Sequence, residues 1–133
     1  MIRLRNLLIV HAIVMLVLAA GLLLAPKTIL NLFGLSVGST VNFNASMNFV
    51  AQMLGATLIV PGLLSWFAGG MEEGARRSVA ISLLIFNAVG FGVAFFVGVL
   101  PEVMSIAGWI LVLLFLLFAV GFAYFLFIRP SEA

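Results

Sequence analysis

The only side chain in this sequence that titrates near neutral pH is its single histidine, His11, and it lies inside an apolar run. An imidazole at membrane depth can relay protons, ligate a haem iron or hold a pigment metal. The other notable polar groups within or at the edge of apolar runs are the amides Asn48, Gln52 and Asn87. Together with His11 they could line a polar path or hold a ligand. They could equally bond one helix to another, for which each would contribute roughly 0.6–2 kcal/mol. The four acidic residues, Glu72, Glu73, Glu102 and Glu132, all fall outside the apolar runs, whereas proton-coupled transport usually needs an ionisable group at depth. Cysteine is absent, and no paired carboxylates, Ser/His/Asp set or His-x-x-x-His spacing occurs. Catalysis and a metal site are therefore not expected, and a bis-histidine haem would need its second ligand from another chain.

The elements that must position these groups are membrane helices. Of 133 residues, 65% are hydrophobic and 8% charged, against about 25% charged in a soluble domain. The mean hydropathy is +1.39. The net charge of +2 rests on few residues, which speak of membrane topology rather than of nucleic acid. Apolar runs of about 20 residues can cross a bilayer, and four are expected, at about residues 7–25, 47–68, 78–100 and 103–128. The first resembles a signal peptide, with Arg3 and Arg5 ahead of it, but its apolar part is too long and it is expected to remain as a span. Pro26 and Gly34 bracket a short segment whose Ile29, Leu30 and Phe33 can share a face opposite Lys27 and Asn31. The expected fold is all-α: a single domain of four transmembrane helices in an antiparallel bundle, with a short interfacial helix after the first.

Residues 48–66 form the most polar span and are expected at the centre of the bundle. At 100° per residue Asn48, Gln52, Gly55, Ile59, Gly62 and Trp66 share one face. Pro61 deprives the Thr57 carbonyl of its partner, so a bend is expected there. In the third span Asn87, Gly90, Ala94 and Gly98 form a stripe of small-xxx-small steps. Such stripes let backbones approach closely, and a seam is expected between spans two and three along Gln52, Gly55 and Gly62 on one side and Gly90, Ala94 and Gly98 on the other. His11 is expected to be neutral, because a low dielectric penalises the imidazolium, and bonded to Ser65, Ser82 or Asn87. Phe115, Phe118, Phe122 and Phe125 stripe the last span, as a bundle-facing or lipid-facing surface.

With four spans, Arg3, Arg5, Arg76, Arg77 and Arg129 share one side and Lys27 takes the other. The positive-inside rule then sets both termini in the cytoplasm, in what is expected to be a prokaryotic cytoplasmic membrane. Trp66, Tyr124 and Trp109 fall near the span ends, as interfacial aromatics do. Asn44-Ala45-Ser46 matches the glycosylation pattern in a loop assigned outside.

Gly21…Ala25-Pro26, Leu32-Phe33-Gly34, Gln52-x-x-Gly55-Ala56 and Gly62-x-x-x-Trp66 form a pattern, together with Arg76-Arg77 and the apolar tail before Arg129. In this layout the chain resembles small four-helix bacterial membrane proteins of DoxX-like type, departing at Gln52, where a basic residue would be expected. The resemblance brings no catalytic residue with it. The expected function is that of a non-catalytic accessory or scaffolding subunit of a membrane complex, or a homo-oligomer. Its partners would be membrane lipids and other membrane subunits or itself. A small carrier or channel for a neutral or lipophilic solute is the alternative, and a quinone- or haem-binding subunit a third. No cofactor is expected, with lipid, quinone and pigment left open.

Overall fold

A backbone in lipid must satisfy its own hydrogen bonds, which favours helices, and in a computed structural model each apolar run carries a long helix. The structure describes residues 3–34, 45–100 and 105–129, and all regular structure among them is helical. Helix α1 spans Leu4–Leu24 and the short α2 Pro26–Leu32; α3 spans Ala45–Ala68 and α4 Glu73–Gly92. Helix α4 runs on as a π-helical segment, Val93–Val99, closed by the Leu100 N–H donating to Phe95 O at 2.9 Å. Helix α5, Gly108–Ala123, likewise runs on as Tyr124–Ile128, closed by the Arg129 N–H on Tyr124 O at 3.0 Å. Among the described residues four helical stretches are long and apolar enough to cross a membrane: Leu4–Leu24, Ala45–Ala68, Glu73–Val99 and Gly108–Ile128.

The last span starts at Gly108 rather than near residue 103. Ser105 is not helical, and its N–H donates to Phe33 O at 2.9 Å, tying the approach to α5 onto the end of α2. Gly34 makes this docking possible. Its φ of +76° suits glycine, and a Cβ there would fall 2.6 Å from Ser105 Cβ. Residues 35–44 and 101–104, with Asn44 of the glycosylation pattern and Glu102, lie outside the described residues, as does Glu132. Of the glycosylation pattern, Ala45 and Ser46 open α3. Helix α3 continues through Pro61, which is buried.

Helix α1 lies along α3. His11 meets Ser65, Leu16 lies under Gly62, and Ala19 and Leu22 lie under Gly55. Helix α4 lies along α5, with Gly90 on the Phe115 ring and the Phe95 and Trp109 rings 5.9 Å apart. Gly121 of α5 rests on Leu7 of α1, joining the two pairs. Leu4, Leu8, Met15, Phe122 and Leu126 are the largest fully buried apolar side chains among the described residues.

These contacts correct the expected seam. Gly55 and Gly62 do admit a close neighbour, but it is α1: a Cβ on Gly55 would meet Leu22 Cβ at 2.9 Å and Ala19 O at 3.0 Å, and one on Gly62 would meet Leu16 Cδ2 at 2.8 Å. Gly90 is covered by Phe115 of α5, at 2.7 Å from an added Cβ. Gly55 and Gly62 are used within the pair α1–α3 and Gly90 within α4–α5, while Ala94 and Gly98 line a cleft that α3 and α4 flank.

Candidate functional site

His11, Ser65 and Asn87 are fully buried and meet at one point. His11 Nδ1 lies 2.7 Å from Ser65 Oγ, and His11 Nε2 lies 3.1 Å from Asn87 Nδ2. The outer bonds fix the proton positions. Ser65 Oγ–H donates to Pro61 O at 2.7 Å, so Nδ1 must carry the ring proton and donate to Oγ. Asn87 Nδ2 donates to Leu83 O at 2.7 Å; an amide flip would set two oxygens against each other there. Its second proton is therefore free for His11 Nε2, and the chain of donation runs Asn87, His11, Ser65, Pro61 O. This network holds a neutral imidazole, since a second ring proton would face the Asn87 amide protons.

Aromatic rings close the remaining sides. Phe118 and Phe122 of α5 present edge contacts to the His11 ring at 4.7 and 5.4 Å, and Phe86 of α4 one at 6.5 Å. One side chain of α1 thus engages α3, α4 and α5. The Phe stripe faces inward here: Phe118, Phe122 and Phe125 are buried.

A serine, a histidine and an amide in contact invite comparison with a hydrolytic triad, and the atoms argue against it. The imidazole already donates to the Ser65 oxygen, so it is not placed to accept the hydroxyl proton, which is committed to Pro61 O. Both ring nitrogens are engaged, leaving His11 no lone pair for a metal. One atom of the cluster is unsatisfied: Asn87 Oδ1 is buried with no partner among the described residues.

The other amides stand apart from this cluster. Gln52 Nε2 donates to Leu23 O at 3.2 Å, and Asn48 Nδ2 donates to Gln52 Oε1 at 3.3 Å. Leu23 lies in the last turn of α1, where carbonyls lack helical partners, so Gln52 caps α1 from α3. Gln52 lies 13 residues before Ser65 on one helix, or about 20 Å at 1.5 Å per residue. The four polar residues His11, Asn48, Gln52 and Asn87 therefore form two helix-joining clusters rather than one path. The hydroxyls of Thr57 and Ser65 bond backbone carbonyls, Leu54 O and Pro61 O respectively.

Among the described residues two cavities lie elsewhere, and none of His11, Ser65 or Asn87 lines them. The larger, about 520 Å³, is an open apolar cleft between α3 and the α4–α5 pair. Leu54, Thr57 and Leu58 form one wall and Leu111 and Phe115 another. The long wall is α4 from Phe86 onward, including Val93, Ala94, Val97 and Gly98 of the π-helical segment. The smaller, about 320 Å³, sits where α1 begins and α3 ends, between Arg5, Ile9, Trp66, Gly69 and Gly70.

Sequence reasoning named the members of the buried cluster but missed both cavities. Apolar residues such as Val93 and Val97 carry no signal separating a cleft wall from a lipid-facing one. Arg5 and Trp66 read simply as markers of the span ends. Comparison with protein families, with curated proteins and with solved structures finds no match.

Proposed function

We propose that this chain is a non-catalytic integral membrane subunit whose working surface is the cleft between α3 and α4, into which a helix of another subunit or of a second copy packs. The observation that carries this is the position of Ala94 and Gly98. They form a small-xxx-small step, the kind that lets helix backbones approach, and, buried themselves, they line the floor of the open cleft. The surrounding turn is π-helical, and such turns are frequent at functional sites. The polar side chains of the spans support the same reading, because their bonds join helices of this chain.

The arrangement we infer is an antiparallel bundle of DoxX-like layout. Its support is that contacts run in opposite senses, residue 11 with 65 and 22 with 55, and 90 with 115. Helix α2 lies in the interface in this reading, with Lys27 and Asn31 exposed and Phe33 buried. The arginine side is cytoplasmic by the positive-inside rule, in a prokaryotic membrane, so a reporter fused to the C-terminus should be inaccessible from outside intact cells.

Sizing in mild detergents, with Ala94→Phe as the comparison, tests the association. The parent is expected to run as a homo-oligomer or with a co-purifying subunit, and the Phe side chain to block the cleft and release a folded monomer. A parent that stays a lone monomer in every mild detergent contradicts the proposal.

The volume of the cleft favours one second reading. About 520 Å³ with an almost wholly apolar lining falls within the ~300–1,000 Å³ of small-molecule sites, so a lipophilic solute could be bound or carried there. That reading predicts a small lipophilic molecule extracted from the purified parent and absent from Ala94→Phe, with flux into liposomes lost alongside it.

A further inference from the structure

The smaller cavity has a composition that the proposed packing does not use. Arg5 stands in the first turn of α1, beside the buried Leu4 and one turn before the buried Leu8, so the core fixes its backbone while its side chain is exposed. Its stem lies against the turn that ends α3: a Cβ on Gly69 would be 3.5 Å from Arg5 Cγ and 3.9 Å from Nε. That turn is locked by Gly70 N–H on Phe67 O at 3.0 Å and Met71 N–H on Ala68 O at 3.2 Å. Trp66 and Ile9 complete the walls.

The hydrogen-bonding side chains that line this cavity are donors. A guanidinium offers five N–H groups and an indole one, and neither accepts. No lining residue is acidic; Glu72 and Glu73 follow the turn, are exposed and line no part of the cavity. The other half of the lining, Ile9 and the body of the indole, is apolar. A site with exposed donors, the Arg5 guanidinium and the Trp66 indole, beside an apolar wall at the mouth of the spans matches a phosphate that carries a hydrocarbon-bearing group. Arginine suits such a partner, because its fork bonds two phosphate oxygens at once.

We infer that the cavity between Arg5, Ile9, Trp66, Gly69 and Gly70 is a binding site for the phosphate headgroup of an anionic membrane lipid. The guanidinium and the indole N–H hold the phosphate oxygens, and Ile9 and the indole face meet the glycerol and the first methylenes. The site is set apart from the general attraction of an arginine-rich end for an anionic surface by comparison with Arg77, which is exposed as Arg5 is and belongs to the same end of the molecule by its place after the α3–α4 turn, but lines neither cavity.

Native mass spectrometry of the full chain in detergent tests this, titrating phosphatidylglycerol, phosphatidylcholine and soluble glycerol phosphate. One phosphatidylglycerol is expected to stay bound under conditions that strip phosphatidylcholine. Arg5→Gln should weaken it about fivefold or more, the worth of one arginine at an anionic surface. Gly69→Leu should weaken it by filling the cavity, and Arg77→Gln should leave it unchanged. If Gly69→Leu does not purify folded, Gly70→Leu replaces it, since an added Cβ there meets only Phe67 O at 3.8 Å. Parent-like binding by both Arg5→Gln and the cavity-filling variant overturns the site, as does an equal loss in Arg77→Gln. Full competition by glycerol phosphate overturns the lipid assignment, because the apolar wall would then contribute nothing.

Discussion

His11 has one proton to give and one lone pair to fill, and Ser65 and Asn87 match the two. A hydrogen bond between membrane helices contributes about 0.6 kcal/mol on average and up to about 1.7. Removing both, with the edge contacts of Phe118 and Phe122, should cost His11→Leu about 1–3 kcal/mol in a reversible unfolding titration with sodium dodecyl sulfate in mixed micelles. His11→Gln, whose amide can donate to Ser65 and accept from Asn87, should lose less than half of that. A leucine variant as stable as the parent would mean that the cluster contributes nothing to assembly. A double-mutant cycle between His11→Leu and Asn87→Leu separates the pair from its surroundings. The expected coupling is about 0.5–2 kcal/mol, and simple additivity would show that the 3.1 Å contact is energetically idle. The cluster was legible from sequence because a lone imidazole between apolar neighbours must turn inward, and Ser65 and Asn87 were among the few partners at its depth. The cage of Phe86, Phe118 and Phe122 was not, because phenylalanine is equally at home against lipid or protein.

At the scale of the helices, the glycines divide by what an added methyl group would meet. On Gly55 it meets a carbonyl oxygen of α1, Ala19 O at 3.0 Å, as well as Leu22 Cβ; backbone cannot rotate away. On Gly62 it meets the tip of Leu16, which can change rotamer. Overpacking of a well-filled interface costs about 1–3 kcal/mol. Gly55→Ala is expected near the top of that range and Gly62→Ala near the bottom or below it, in the same unfolding assay. The reverse order would contradict the α1–α3 contact described above. Four apolar runs without charge, bracketed by Pro26, Gly34 and the arginines, were enough to place the helices. The partner of each stripe was not readable, because a small residue says that something approaches and not which helix does. Gly55 and Gly62 could serve α1 or α4 by sequence; the His11–Ser65 and Gln52–Leu23 bonds align α3 with α1. The start of α5 was placed too early because nothing local announces that Ser105 is held by Phe33.

For the molecule as a whole, the helices close on a buried core and part at an apolar cleft. The buried cluster and the core of Leu4, Leu8, Met15 and Phe122 hold the helices together, while α3 and α4 part around the apolar cleft. Our central claim is that this cleft receives a helix from another chain. The most direct measurement is site-specific photocrosslinking in native membranes, with a benzophenone side chain at Val97, exposed and on the cleft wall, and at Leu117, more exposed and lining neither cavity described above. The account predicts a discrete protein adduct from position 97, either a dimer of this chain or one defined partner, and none from position 117. Lipid adducts alone at both positions, or the same protein adducts from both, would contradict it.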